Sequence, residues 1–227
     1  MPFDRPAART ALLAGATGLV GRALLPRLLD EPAYRQVLVL ARGPAPDRAR
    51  EPRLEWEQVD FDALPDALPP VHDAYITLGT TIKVAGSEAA FRRVDFDYVI
   101  AVARAARVAG ATRLGIVSAL GADSKSRVFY NRVKGDTEAA LQGLGFETLV
   151  IAQPSMLIGD RAALGQPVRR GEVAVARWLG PVMSLVPRGV RPIAALDVAA
   201  ALHAAVRDAG PGVHRLGSAR MQGAAEG

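Results

Sequence analysis

A tyrosine and a lysine stand four residues apart at Tyr130 and Lys134. On a helix this spacing places both side chains on one face. A free tyrosine has a pKa of about 10, and a nearby ammonium stabilises the phenolate and lowers that pKa, so the pair can move a proton near neutral pH. The same lysine can hold the ribose hydroxyls of a nicotinamide nucleotide. Ser118 precedes the tyrosine and can donate a hydrogen bond to a substrate carbonyl, although Ser124 and Ser126 lie nearby.

A glycine-rich loop near the amino terminus forms a second candidate site. It directly follows an apolar run and consists of Gly15, Ala16, Thr17, Gly18, Leu19, Val20 and Gly21. Bare backbone between a strand and a helix lets a phosphate reach the helix N-terminus, whose N–H groups and dipole favour negative charge. The spacing differs from the commoner G-x-G-x-x-G, although the mechanics are the same. We therefore predict a site for a dinucleotide pyrophosphate, with a structural tight turn as the alternative.

The end of the second predicted strand bears on the choice of cofactor. It reads Val37-Leu-Val-Leu-Ala-Arg42 and contains no acidic residue to bind the ribose hydroxyls of NAD. Arg42 can pair with the 2′-phosphate of NADP, because a guanidinium suits phosphate oxygens. NADP(H) is therefore the preferred cofactor and NAD(H) stays possible. The alternative is that Arg42 is one more surface arginine.

Two further strand ends supply candidate cofactor contacts. Asp60 and Phe61 follow the third predicted strand, where an adenine edge can lie, although a carboxylate there also suits a solvated loop. The fourth strand closes at the carboxyl edge where ligands of such sheets bind. The candidates at that end are Leu78, Gly79, Thr80 and Thr81. The two threonines suit a turn equally well.

Apolar runs alternate with helical periodicities through the first two thirds of the chain. Strands are predicted at residues 10–14, 37–40, 54–59, 74–78, 114–117 and 149–151, and helices after Gly21 and at 87–109, 127–141 and 197–206. This alternation predicts an α/β fold, a Rossmann-type doubly wound parallel sheet with helices on both faces. Pro26 conflicts with the first helix, because an interior proline removes a hydrogen bond.

The length favours one domain over residues 1–227. Within it we predict a dinucleotide-binding core at 1–153 and a small substrate-covering part at 154–227. Residues 173–185 read as an amphipathic stripe that suits the core or a dimer contact better than a substrate lid, so a homodimer is possible.

Composition excludes several classes of site. The chain has no cysteine, so disulfides and thiolate chemistry are excluded, and its three histidines show no metal-site spacing. The net charge of +5 comes from dispersed arginines, which favour a solvated surface over a nucleic-acid interface. Neither a signal peptide nor an apolar run of about 18 to 20 residues is present in the sequence, so no membrane span is expected. We expect a cytoplasmic protein with a small-molecule substrate and no nucleic-acid partner.

With these residues identified, the chain resembles the short-chain dehydrogenase/reductase superfamily of extended or atypical type, in the branch of Tat-interacting-protein-like and NmrA-like NAD(P)-binding proteins. The matching stretches include residues 15–21, 78–81, 94–98, 117–123, 130–138, 153–155, 157–161, 191–193 and 197–199. Their order along the chain is more specific than any one motif.

The resemblance implies a Rossmann-type sheet with NADP(H) across its carboxyl edge and catalytic roles for Ser118, Tyr130 and Lys134. It also implies that a loop containing Pro154 and Ser155 passes beside the nicotinamide. Two positions depart from the pattern of the superfamily. Asp95 stands where an asparagine often completes the catalytic group, and Gln153 stands where an arginine commonly precedes the Pro-Ser pair.

We therefore expect an NADP(H)-dependent oxidoreductase acting on a carbonyl or hydroxyl group of a small molecule. A nucleotide-binding protein that senses the NADPH/NADP⁺ ratio is the alternative, since it needs the glycine loop but no functional tyrosine. Epimerase chemistry on a nucleotide sugar is a third possibility, which the short C-terminal part disfavours.

Overall fold

A computed structural model of the chain describes residues 9–46, 51–159 and 187–226. Seven of its strands form one parallel sheet: β1 (Arg9–Ala14), β2 (Tyr34–Ala41), β3 (Leu54–Gln58), β4 (Asp73–Ile76), β5 (Arg113–Val117), β6 (Thr148–Gln153) and β9 (Gly212–Gly217). Their order across the sheet is β3-β2-β1-β4-β5-β6-β9. A separate parallel pair joins β7 (Leu157–Ile158) to β8 (Ile193–Ala194).

Helices cover both faces of the sheet. They are α1 (Leu19–Asp30), α2 (Ile82–Ala85), α3 (Glu88–Arg92), α4 (Tyr98–Val108), α5 (Phe129–Gln142), α6 (Ala195–Asp208) and α7 (Ser218–Met221). The order of strands reverses between β1 and β4, which opens a crevice at their carboxyl ends. The prediction of a Rossmann-type doubly wound sheet is confirmed.

The sheet is buried on both faces, which explains why its central strands read as continuous apolar runs. One core cluster packs α1 and α6 against the sheet, with Leu24 and Leu202 among its buried members. The opposite cluster packs α4 and α5 against the other face, with Val102 and Leu141 among its members. These two layers hold the carboxyl ends of the strands in a fixed arrangement.

The helix predicted at residues 87–109 differs in its interior. A π-helical segment, Arg93–Asp97, interrupts it between α3 and α4. Such segments add one residue to a turn and occur often at functional sites. Asp95 lies in this segment and is fully buried.

Other expectations from the sequence differ from the structure or lie outside its described part. Pro26 lies inside α1 on its exposed side, so the helix continues past it. The strand β9 was not predicted, because Gly212–Gly217 combines two glycines with polar residues at a sheet edge. Residues 173–185 lie outside the described part of the chain, and the internal boundary at residue 153 stays a prediction.

Candidate active site

The glycine loop joins β1 to α1, as predicted. Gly15 has a φ of 96°, and a Cβ added there would lie 2.7 Å from the backbone carbon of Thr77. A Cβ on Gly21 would lie 2.7 Å from the carbonyl carbon of Gly15, so both positions require glycine for packing. Gly18 is different, because its Cβ would lie no closer than 3.4 Å to the Gly15 oxygen and 4.0 Å to the Thr77 oxygen. Because Gly18 has no side chain, it leaves space on the side of the loop where we expect the phosphate.

The N-terminus of α1 suits an anion. Gly18 is the N-cap and provides no side-chain cap, and the first turn contains no acidic residue. The first N–H groups of a helix have no intrahelical partner, so a phosphate can accept hydrogen bonds from them. Ala16 and Val20 are buried, Leu19 is partly buried and Thr17 is exposed, so this loop offers its backbone and the Thr17 side chain to a ligand. The residues present therefore fit a pyrophosphate.

Thr77, which the sequence analysis did not single out, fastens the loop to the neighbouring strand. Its Oγ1 donates to the carbonyl oxygens of Ala14 and Gly15, at 3.2 and 3.1 Å. The contact joins the carboxyl ends of β1 and β4, where the order of strands reverses. A polar residue directly after a buried strand is the signal that could have identified it.

A cleft of about 590 Å³ lies at the carboxyl ends of β2 and β3 and is lined by Arg42, Gln58, Val59 and Asp60. Asp60 accepts a hydrogen bond from the N–H of Asp62 at 2.9 Å, which orients its carboxylate. The structure thus brings together the Arg42 and Asp60 named from the sequence. Phe61 is buried and stacks on Tyr98 with ring centroids 5.6 Å apart, so its side chain belongs to the core.

The loop after β4 runs along the crevice toward α5. Leu78 packs against the core cluster that contains α4 and α5. The Thr81 hydroxyl accepts from the N–H of Val84 at 3.2 Å and caps α2, so Thr81 is a turn former here. Gly79 lies above the Lys134 ammonium, since a Cβ added to it would be 3.8 Å from Nζ.

Tyr130 and Lys134 lie on α5, one turn apart. Tyr130 is half-buried and packs on the Phe91 ring with centroids 5.3 Å apart. Lys134 is 5% exposed, and its Nζ lies 2.7 Å from Oδ1 of Asp95. Burial alone lowers the pKa of the Lys134 ammonium, but Asp95, Tyr130 and Glu138 outweigh burial and raise that pKa above its ordinary value. Lys134 therefore carries a positive charge at neutral pH.

Ser118 lies at the end of β5, and its hydroxyl is held by a buried acid. It donates to Oε1 of Glu138 at 2.5 Å. Gln153 donates to the same carboxylate at 2.9 and 3.1 Å, and the Arg215 Nε lies 3.6 Å from Oε2. Glu138 is thus the centre of a polar cluster that the sequence analysis missed. Its position one helical turn after Lys134 was the available signal.

The loop after β6 connects the site to the C-terminal part. Pro154 accepts a hydrogen bond from the N–H of Leu120 at 2.8 Å, which ties this loop to the residues after Ser118. The Ser155 hydroxyl donates to the carbonyl oxygen of Arg191 and lies 3.0 Å from the Ser218 hydroxyl. Ser155 therefore contacts the C-terminal part directly.

Two kinds of feature, a membrane-spanning helix and a metal site, are absent from the described residues. No helix among them is long and apolar enough to cross a membrane. In residues 9–46, 51–159 and 187–226, no group of three or more potential ligands is placed to hold a metal ion.

Comparisons with known proteins agree with this architecture. The sequence profile described as NAD(P)H-binding matches residues 15–156. Protein FMP52, mitochondrial, of Eremothecium gossypii is 40% identical over 153 residues, covering 66% of this chain and 67% of the relative. Protein HTATIP2 of Rattus norvegicus is 32% identical over 176 residues, covering 76% and 71%.

Solved structures support the fold. MoeE5 in complex with UDP-glucose and NAD superposes with a TM-score of 0.66 at 17% identity, over 92% of this chain and 76% of that one. An oxidoreductase of the short-chain dehydrogenase/reductase family from Burkholderia thailandensis superposes with a TM-score of 0.66 at 20% identity, over 94% and 93%. At these identities the likeness shows the fold alone.

The relatives also correct one expectation. The prediction of a cytoplasmic protein is wrong, because FMP52 relatives from Eremothecium gossypii, Emericella nidulans and Coccidioides immitis are all named mitochondrial. The family resemblance drawn from the sequence is confirmed: the profile covers more than half of the chain, from the glycine loop past the end of β6. The chain therefore belongs to the NAD(P)H-binding family of Rossmann-fold proteins.

Proposed function

We propose that the protein is an NADP(H)-dependent oxidoreductase that interconverts a carbonyl and an alcohol on a small molecule. The observation that carries this proposal is that contacts along the carboxyl edge of the sheet link the glycine loop to the catalytic candidate Lys134. Gly15 packs on Thr77, and Gly79, two residues later, lies above Lys134. A dinucleotide with its pyrophosphate at α1 therefore has a path along the end of β4 to α5.

Each candidate has a role that its surroundings support. The nicotinamide, when bound, supplies or accepts the hydride. Tyr130 gives its phenolic proton to the carbonyl oxygen during reduction and takes it back during oxidation. Lys134, buried and charged, stabilises the phenolate and donates to the ribose hydroxyls. The Ser118 hydroxyl donates to Glu138, so we assign it to turn away from Glu138 and donate to the substrate carbonyl oxygen when the substrate binds.

The cleft beside β2 supports the proposed preference for NADP(H). Arg42 is one of its lining residues, and β2 ends without an acidic side chain. The carbonyl oxygen of Arg42 accepts from the Gln58 amide at 3.2 Å, which fixes the backbone from which the guanidinium extends. A 2′-phosphate in this cleft gains charge-assisted hydrogen bonds that a ribose hydroxyl cannot form equally well.

A thermal-shift titration with NADPH, NADP⁺, NADH and NAD⁺ tests the cofactor. A ligand that binds only the folded state raises the Tm according to its affinity. We expect the phosphorylated pair to stabilise more, and Arg42→Ala to remove most of that difference. Arg35→Ala, at the exposed start of the same strand, is the matched control. Equal stabilisation by NADH and NADPH, unchanged in Arg42→Ala, contradicts the preference for NADP(H).

Oxidation of NADPH against a panel of aldehydes and ketones tests the reaction. We expect turnover with part of the panel, and a loss of about 10²-fold or more in kcat in Tyr130→Phe, because a positioned proton donor contributes on that order. Tyr98→Phe, which loses an exposed hydrogen bond to Asp62, is the control. If the protein binds the nucleotide but shows no turnover that depends on Tyr130, the proposed oxidoreductase activity is contradicted. A nucleotide sensor is then the function that fits.

A further inference from the structure

The Asp95 carboxylate is a buried acid at the ligand edge of the sheet. It is 0% exposed, and its two oxygens have separate partners. Oδ1 lies 2.7 Å from the Lys134 Nζ, and Oδ2 accepts the N–H of Thr80 at 2.9 Å. One side chain thus joins the loop after β4 to the lysine on α5.

The backbone around Asp95 is also held in place. Asp95 lies in the π-helical segment, and its carbonyl oxygen accepts a hydrogen bond from the buried Thr137 hydroxyl on α5, at 3.0 Å. A Cβ added to Gly79 would lie 3.4 Å from Asp95 Oδ1 and 3.8 Å from Lys134 Nζ. The ion pair therefore lies directly beneath Gly79, on the path of the cofactor described above.

The charged groups around Lys134 determine the net charge at this position. Asp95 approaches it from the π-helical segment, and Tyr130 and Glu138 approach it from its own helix. Glu138 has its own partners, the Arg215 cation and the donors of Ser118 and Gln153. Asp95 is left as the counter-ion of Lys134, so the pair carries no net charge.

We propose that Asp95 is a positioning residue that holds Lys134 under the Gly79–Thr80 backbone and neutralises it, so that the site accepts the positively charged oxidised nicotinamide as readily as the neutral reduced ring. This inference rests on the proposed function, which places the nicotinamide ribose at Lys134. A lone buried ammonium repels the oxidised ring and leaves the reduced ring nearly unaffected, because only the oxidised ring carries a charge. Asp95 therefore sets the balance between NADP⁺ and NADPH.

Isothermal titration of NADP⁺ and NADPH into the wild type and Asp95→Asn measures this balance without any substrate. We expect the ratio Kd(NADP⁺)/Kd(NADPH) to rise about tenfold in Asp95→Asn, the order of effect of one charge within several ångström in a partly screened site. Asp97→Asn makes the same chemical change at an exposed position of the same segment and should leave the ratio within about twofold. A loss of affinity for both nucleotides at a constant ratio overturns the proposal, since it indicates only a structural anchor.

The single variant leaves a buried lysine unpaired, which often destabilises a protein. The double variant Asp95→Asn/Lys134→Met removes both charges and keeps the position neutral. We expect its ratio to stay within about threefold of the wild type, even though both affinities fall with the loss of the lysine. A larger change in the ratio overturns the proposal. A wild type that binds neither nucleotide contradicts the proposed function itself, and that outcome is visible before any variant is made.

Discussion

At the scale of single residues, the three glycines of the loop are required for different physical reasons. Gly18 has φ −79° and ψ 174°, which any residue adopts, so we propose that its missing side chain serves the ligand and not the backbone conformation. We expect Gly18→Ala to change the free energy of unfolding by no more than about 0.5 kcal/mol and to weaken NADPH binding about tenfold or more. Urea denaturation and isothermal titration measure the two quantities.

Gly21→Ala is the matched control for that prediction. Its new Cβ would overlap the backbone of Gly15, so we expect a loss of about 1–3 kcal/mol in the free energy of unfolding with or without nucleotide. Equal effects of the two variants on stability would show that Gly18 serves the turn and not the phosphate.

The Glu138 cluster leads to a second prediction at this scale. Glu138→Ala leaves the Ser118 hydroxyl, the Gln153 amide and the Arg215 cation without their shared acceptor. Ser118 is buried, Gln153 is partly buried and Arg215 is about half exposed, so the lost acceptor costs most at Ser118 and Gln153, and we expect a loss of about 2–3 kcal/mol in urea denaturation. Glu147→Ala, at an exposed position, should change stability by less than about 0.5 kcal/mol. A Glu138→Ala variant as stable as that control would refute the role of the cluster.

At the scale of elements, the proposed site requires α5 to lie close to the loop after β5, so that Tyr130 and Ser118 can act on one substrate. Gly135 makes this approach possible, because a Cβ there would lie 2.6 Å from the Asp123 Cα. Gly135→Ala gains helix propensity but forces the helix away, and we expect a net loss of about 1–3 kcal/mol in the free energy of unfolding. Thermal or urea denaturation checks this expectation.

Gly143→Ala tests the same substitution at the C-terminal end of α5. Its φ of −78° suits alanine, and the added Cβ would meet only the Ala140 oxygen, at 3.4 Å. We expect it to be neutral or slightly stabilising. If both variants were equally destabilised, close packing of α5 could not be the reason.

Elements with strong periodicity were predictable from the sequence, and those defined by tertiary contacts were not. Residues 10–14 and 114–117 read as strands because both faces are buried, and they match β1 and β5 closely. The π-helical segment escaped prediction, since an apolar period continues through it while Asp95 is turned inward by its pairing with Lys134. Likewise, the spacing of Tyr130 and Lys134 was readable, but the contact of Ser118 with Glu138 depends on how β5 meets α5.

At the scale of the whole molecule, the two ends of the sheet serve different purposes. The carboxyl ends form the candidate site, whereas the amino ends are joined by a buried polar network. Asp73 accepts from Arg9 at 2.5 Å and from the Tyr34 hydroxyl at 2.8 Å, and the hydroxyls of Tyr34 and Tyr75 lie 2.9 Å apart. Burial, Tyr75 and Asp73 raise the pKa of Tyr34, so it stays a neutral donor. The network fastens β1, β2 and β4 far from the ligand edge.

His203 on α6 adjoins this network and makes stability depend on pH. Its ring lies 6.4 Å from the Tyr75 ring, and its Nε2 is 3.5 Å from the Glu31 Oε2. Burial lowers the pKa of His203, Arg207 and Arg27 lower it further, and the opposing carboxylates of Glu31 and Asp208 do not compensate. The unfolded chain therefore binds a proton at a higher pH than the folded chain does.

The free energy of unfolding should accordingly fall as the pH drops from 7 to 5, because the unfolded state takes up the proton first. We expect His203→Gln, which cannot be protonated in this range, to flatten that dependence in urea denaturation at pH 7, 6 and 5. His214→Gln removes a partly exposed histidine from the edge strand β9 and should leave the wild-type slope. Parallel slopes for the wild type and His203→Gln would show that another group controls stability in this range. A flattened slope would place the acid sensitivity of the fold at the end of the sheet remote from the cofactor.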